Sequence, residues 1–231
     1  MTATREFEGF PDGLVPFLMQ LAANNEREWF KANEKRYESL VRQPALAFVR
    51  AMSEPLKQLS HELVADDRKV GGSLMRIFRD TRFSKDKTPY KTNVGIQFRH
   101  GVGKDVHAPG VYVHIDPDET FLGFGLWHPE ADVLLKLRTA VAEKWDRWSA
   151  ILDALTAHGA EQFGEPLKRV PRGFDVTHPG AAEIRRTSFI ASMPIEWEVL
   201  ASADAPAELT RRLLIGRDYM AFLCEALALP F

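Results

Sequence analysis

Hydrophobic residues in the first sixty positions recur at three- and four-residue spacing, and that spacing predicts helices. Phe10, Leu14, Phe17, Leu18 and Leu21 share one face, with Asp12 as the expected N-cap and Pro16 tolerable because it falls in the first turn. Asn25 followed by Glu28 resembles a variant capping box, after which Trp29, Phe30, Asn33, Tyr37, Leu40 and Val41 continue along one side of a second helix. Pro44 suits the first position of a third, with Phe48, Val49, Met52, Leu56 and Leu59 inward. Pro55 is expected to kink or divide it. The helical region therefore runs from about residue 10 to about residue 65.

From about residue 70 to about residue 127 the period shortens to two, as in half-buried strands. Val94, Ile96 and Phe98 share one face, which leaves Gln97 and Arg99 on the other. In the next strand Val111, Val113 and Ile115 point one way, and Tyr112, His114 and Asp116 the opposite way. LMRIFR at 74–79 and TFLGFGLW at 120–127 are expected to complete the set. The connections hold Gly, Pro and Asp and are too short for crossover helices, so a mostly antiparallel sheet follows.

Helical spacing returns after Trp127. Pro129 opens a segment in which Leu134, Leu137, Val141, Trp145 and Trp148 recur, and Leu152 and Leu155 extend it to Gly159. Residues 163–179 read as irregular, TSFIASM at 187–193 as a short strand, and residues 206–227 as a terminal helix through Leu209, Leu213, Met220 and Leu223. The fold expected is α+β, a mostly antiparallel sheet flanked by N-terminal and C-terminal helices, in a single domain over residues 1–231.

Composition agrees with a globular chain. Apolar residues make up 45% and charged residues 27% of 231, which supplies a core and gives no case for disorder. The first residues carry Arg5, Glu6 and Glu8 and lack the apolar stretch of a secretory signal, and no run is long and apolar enough to span a bilayer. A cytoplasmic protein with no membrane partner is expected. The lone Cys224 lies among Phe222, Leu223, Ala226 and Leu227 and reads as a small buried hydrophobe.

Charge changes the picture only when it is divided. The formal net charge is −2, yet Arg68, Lys69, Arg76, Arg79, Arg82, Lys85, Lys87, Lys91 and Arg99 stand against only Asp80 and Asp86 within residues 68–99. That surplus of seven leaves nine net negative charges elsewhere, and including Asp66 and Asp67 still leaves five. Arginine offers a planar fork suited to phosphate or carboxylate, and lysine a mobile point charge. The leading expectation is a basic pocket for a phosphorylated or carboxylated small ligand. Arg76, Arg79, Arg82, Lys87 and Lys91 would supply charge, Asp80 would orient a guanidinium, and Phe83 and Tyr90 would form an apolar wall. Arg99, Tyr112 and His114 would join from the polar strand face, Trp127 would sit at the rim, and Gly123 and Gly125 would leave room above the sheet.

Three other readings compete. A nucleic-acid module would use the same cations with Phe83, Tyr90 or Trp127 against bases, but the acidic remainder ranks it below the small anion. An enzyme would use His114 and Asp116, on one strand face, as an acid–base pair. The third reading is purely structural, with the charged run a solvated loop locked by Arg–Asp pairs and Phe83 and Tyr90 plugging the core. His100, His107, His114 and His128 lack paired metal-ligand spacing, so no metal site is assigned. GVGKD at 101–105 and GFGLW at 123–127 lack the spacing and the following helix of nucleotide loops, and no cofactor is implied.

The run from Arg76 to Tyr90, R-x-x-R-D-x-R-F-x-x-D-K-x-P-Y, resembles the signature of an uncharacterised, mainly bacterial domain-of-unknown-function family, number 2461. GFP at 9–11, NNEREWF at 24–30, APGVYVHI at 108–115 and GFGLWHP at 123–129 are similar to the same family, so the resemblance covers most of the chain. It implies relatives of similar length and carries over no reaction or catalytic residue.

Overall fold

A computed structural model describes residues 6–102 and 108–231. The N-terminal helices form as the spacing predicts. Helix α1 spans Leu14–Ala23, and α2, Arg27–Tyr37, continues through a π-helical turn at Glu38–Arg42 into α3, Gln43–Ala51. Pro44 sits in the first turn of α3, and Pro55 divides the segment by opening a separate 3-10 turn, Pro55–Gln58. Two expected caps are absent. Gly13, not Asp12, is the N-cap of α1, and no side chain caps α2, because the Asn25 amide is engaged with Tyr90, 65 residues away.

The sheet contains β1 (Leu63–Val64), β2 (Val94–His100), β3 (Gly110–Ile115), β4 (Thr120–Leu126), β5 (Glu161–Gln162) and β6 (Phe189–Pro194), in the order β1-β2-β3-β4-β6-β5. Every neighbouring pair is antiparallel. Register sets Ile96 opposite Val113 and Val113 opposite Leu122, so one apolar row crosses three strands. Residues 74–79 depart from expectation and form no strand, only the isolated bridges Leu74 to Ile96 and Phe78 to Tyr90. After Met75 N–H donates to the Gly95 carbonyl, the backbone leaves β2 and pairs with the returning end of its own loop. Arg79 N–H donates to Pro89 O at 2.9 Å and Lys91 N–H to Ile77 O at 2.7 Å.

The C-terminal part is helical but more divided than its periodicity suggests. Helices α4 (Ala131–Glu143) and α5 (Trp145–Ala157) break at Lys144, and short α6 (Ala181–Ile184) and α7 (Trp197–Leu200) flank β6. The terminal segment divides into α8 (Ala205–Ile215) and α9 (Arg217–Ala226) at Gly216. A Cβ at Gly216 would lie 2.4 Å from the Phe124 ring, so this junction can rest on the sheet only as glycine. One apolar cluster joins helices from both ends to one sheet face, where Ile96, Phe98, Val113, Leu122 and Phe124 are at most 1% exposed. Cys224 of α9 is buried, and burial pushes its thiol up to about 12, so it carries no thiolate near neutral pH. Among the described residues no helix is long and apolar enough to cross a membrane.

Candidate functional site

The face of the sheet opposite the core is open. Gln97 and Arg99 of β2, Tyr112 of β3, Phe121 of β4 and Ile190 of β6 line a cavity of about 690 Å³, walled by Met75 on one side and by Trp127 and Phe163 on the other. Aromatic contacts run across it, Tyr112 to Phe121 at 6.0 Å, Phe121 to Phe163 at 6.3 Å and Phe163 to Trp127 at 5.3 Å between ring centroids. Phe163 belongs to the segment read as irregular, and its N–H reaches Ile190 O at 3.2 Å, which holds the ring over the trough. Register places Gly123 opposite Tyr112. A Cβ there would make only ordinary contacts, with Ile190, Ala191 O and Phe121 from 3.7 Å outward, so a side chain at this position would be directed against two of the residues that line the trough. Gly125 differs: at φ +123° its Cβ would lie 2.1 Å from Phe189 O, so the strand's course requires glycine.

Beside this floor, Tyr112 joins a small cluster of polar groups. The Tyr112 hydroxyl lies 3.1 Å and the Asn93 amide nitrogen 3.4 Å from His114 Nδ1, and the imidazole stacks on Phe121 at 4.7 Å. Burial lowers the His114 pKa, partly opposed by the charges of Asp116 and Glu119, so the ring is neutral at pH 7 and Nδ1 accepts. Burial raises the Tyr112 pKa, against the Asn93 hydrogen bond. His114 and Asp116 are not hydrogen-bonded to each other. Asp116 instead shapes the β3–β4 turn, accepting from Asp118 N–H at 3.1 Å and donating its own N–H to Glu119 O at 3.0 Å. Arg99 is exposed, and its Nε donates to Gln97 Oε1 at 3.2 Å. Among the described residues no carboxylate pairs with it.

The motif does not gather its cations over this trough. Residues 77–91 close on themselves as a hairpin-like loop in which charges are matched locally. Arg79 bonds Asp86 and the Thr88 hydroxyl, Arg82 pairs with Asp80 at 2.7 Å, and Lys87 donates to Thr81 O at 2.8 Å. The Thr88 N–H, then Arg79, hold the Asp86 carboxyl down to about 2, and Arg82 lowers that of Asp80. Phe83 is 94% exposed with the Arg82 guanidinium 5.8 Å from its ring centroid, so it walls no cavity. Tyr90 is 5% exposed, stacked on Phe30 at 4.2 Å, and therefore belongs to the core. Its backbone is gripped by Asn25, whose amide donates to Tyr90 O at 2.9 Å and accepts from Tyr90 N–H at 3.0 Å. Arg76 is exposed and Lys91 half-buried. Lys91 lines a second, smaller cleft of about 380 Å³ between the loop and the α1–α2 junction, with Asn25, Arg79, Asp86, Thr88 and Asn93.

Of the expected site residues, the trough unites Arg99, Tyr112 and Trp127, and the cleft unites Arg79, Tyr90 and Lys91. His114 lies between them, bonded to Tyr112 of the trough and Asn93 of the cleft. Phe163, Ile190, Asn25 and Asn93 were not anticipated. Phe163 and Ile190 reach the site through β5–β6 pairing, which no local periodicity announces. Among the described residues no group of three His, Cys, Asp or Glu side chains is placed to hold a metal ion. His100 meets the Pro230 carbonyl at 2.8 Å, and His107, like residues 103–105 of the GVGKD loop, lies outside the described residues.

Fold and site together define an α+β protein with an antiparallel sheet, helices on its core face and an aromatic trough on the other. The chain belongs to the family of conserved hypothetical proteins DUF2461, which it matches over residues 13–222. No curated protein and no solved structure matches it.

Proposed function

We propose that the protein binds a small organic carboxylate or phosphate ester on the open face of the sheet, its apolar or aromatic body in the trough and its anionic group on Arg99. The observation that carries this reading is a guanidinium that no carboxylate among the described residues pairs with, at the edge of a cavity of about 690 Å³ lined in part by the rings of Tyr112, Phe121, Trp127 and Phe163. Concave apolar sites with a few fixed polar groups are the usual form of small-molecule sites. With Nε on Gln97 and no partner for its terminal nitrogens among the described residues, Arg99 can offer those nitrogens to an oxyanion, the pairing in which charge-assisted bonds are strongest. Stacking on Phe121, Phe163 and Trp127 supplies the remaining attraction.

Thermal-shift and calorimetric titration with aromatic carboxylates, aliphatic carboxylates and phosphate monoesters tests the reading. Arg99→Ala should weaken the bound class by about ten- to hundredfold, the worth of a hydrogen bond to a charged group. Gly123→Leu should fill the trough and abolish binding with the circular dichroism spectrum retained. Arg82→Ala should change affinity little, because Asp80 already holds that guanidinium. If no compound binds wild type more tightly than the Arg99 and Gly123 variants, the trough is not a ligand site.

One observation favours a second reading, a polyanion such as single-stranded nucleic acid. Phe83 stands bare beside Arg82 within the basic segment, a pairing suited to stacking on an unpaired base. That reading requires binding that falls steeply with salt and is lost in Phe83→Ser.

A further inference from the structure

We infer that the smaller cleft is a separate oxyanion site, built to take a phosphoryl group, with Lys91 as its cation. The other cations of the loop show why Lys91 stands apart. Arg79 is matched by Asp86, Arg82 by Asp80, and Lys87 by the Thr81 carbonyl, while Lys85 is open to solvent. Lys91 is half-buried and lines the cleft, its backbone fixed by the bond from its N–H to Ile77 O at 2.7 Å. Among the described residues neither a carboxylate nor a carbonyl takes its ammonium. Arg76 stands near enough to add like charge, and burial with that neighbour holds the Lys91 ammonium below its usual range. A half-buried cation beside another cation gains when an anion joins them.

The rest of the lining suits such an anion. Thr92 and Asn93 offer a hydroxyl and an amide in the same cleft. Asp86, the one carboxylate there among the described residues, is already committed to Arg79, to Thr88 N–H at 2.9 Å and to the Thr88 hydroxyl at 3.1 Å. A volume of about 380 Å³ admits a phosphate with part of its water. An anion that draws the Asn93 amide toward itself would also loosen the 3.4 Å contact to His114, which connects the cleft to the trough floor.

Calorimetric titration of the full chain with inorganic phosphate and with methyl phosphate, at constant ionic strength, tests the inference. Wild type should bind saturably. Lys91→Ala should weaken binding about tenfold or more, Lys91→Arg should keep part of it, and Lys85→Ala, an exposed cation of the same loop, should stay within about twofold. Thr92→Val leaves the lysine in place and should also weaken binding, which covers the case in which Lys91→Ala fails to fold. Gly123→Leu should leave phosphate binding unchanged, so this site and the trough stand or fall independently. Binding of both probes assigns a phosphoryl-group site, and binding of inorganic phosphate alone assigns a free-ion site. No saturable binding by wild type, or equal losses in Lys91→Ala and Lys85→Ala, overturns the inference.

Discussion

Strands β2, β3 and β4 present two faces made from alternate residues of the same chain, and the faces have opposite duties. On one, Phe98, Val113 and Phe124 are sealed against helices from both ends, and Phe98 approaches Phe48 of α3 at 6.4 Å. On the other, Arg99, Tyr112, His114 and Phe121 remain partly or fully open, and Gly123 has no side chain at all. Because side chains alternate along a strand, a step of one residue separates a position that holds the fold from one that faces a ligand. Parity along the strand, more than residue type, therefore decides what a substitution does.

The largest contrast is expected from truncating two phenylalanines three residues apart on β4. Phe124→Ala empties a fully packed site and should cost about 3–5 kcal/mol. Phe121→Ala, on the open face, should cost about 1–2 kcal/mol, because less area leaves the interior. Urea denaturation of both variants measures the gap, and ligand titration should show the reverse order, with Phe121→Ala the more damaging among variants that still fold. Equal losses of stability would mean that the open face is a second core.

This parity was legible from the alternation of VGIQFR and VYVHID, and so was the antiparallel arrangement from the short connections. The site was only partly legible. Arg99, Tyr112 and Trp127 could be placed on the polar side because strand period fixes direction, whereas Phe163 enters from an irregular stretch whose position depends on long-range pairing. Asn25 shows the limit well. Asn-x-x-Glu before an apolar run looks like a helix cap, and the local pattern held no sign that the amide serves Tyr90 instead. The basic run misled in a different way. Arg79 finds Asp86 seven residues on and Arg82 finds Asp80 two residues back, so a count of charges overstated what is free for a ligand.

Asn25 also offers the next test, because it ties the loop to the covered side of the molecule. Asn25→Ala leaves the Tyr90 N–H and carbonyl without their partner and should cost about 1–3 kcal/mol. The comparison predicts where that loss appears. Amide hydrogen exchange should accelerate at Tyr90 and Lys91, while Val113, in the sealed row, keeps its protection. Equal acceleration at both places would show that loop and core open as one unit.

A smaller effect comes from Asp86, whose charge is used inside the loop. Its folded pKa, about 2 against an ordinary 3.8, is depressed by Thr88 N–H and Arg79. A depressed carboxylate contributes stability that is fully present above the unfolded value and is lost as pH falls through the folded value. Asp86→Asn should therefore flatten part of the stability loss between about pH 4 and pH 2 and leave the shape of the profile above pH 5 unchanged. Glu225, held down to about 2 by Lys144 and Arg147, has the same sign and remains in the variant, so the difference curve isolates Asp86. A variant whose acid limb overlays wild type would mean that the loop's ion pair forms equally well in the unfolded chain.

The smallest expected change is at Phe83, and a near-zero result there is informative. With 94% of the residue exposed, Phe83→Ser removes almost no buried area and should alter stability by less than about 0.5 kcal/mol. Tyr90, seven residues on in the same loop, should behave oppositely, since it is stacked on Phe30 and sealed in the core. Tyr90→Ala should approach the cost of a core aromatic, about 3–5 kcal/mol. The two aromatics of one motif thus repeat, outside any strand, the division between the sheet's faces. One anchors the loop and the other is left at the surface. If thermal melts show Phe83→Ser destabilising to a comparable degree, the tip of the loop packs against the body of the protein in solution, and the exposed aromatic that supports the polyanion reading does not exist.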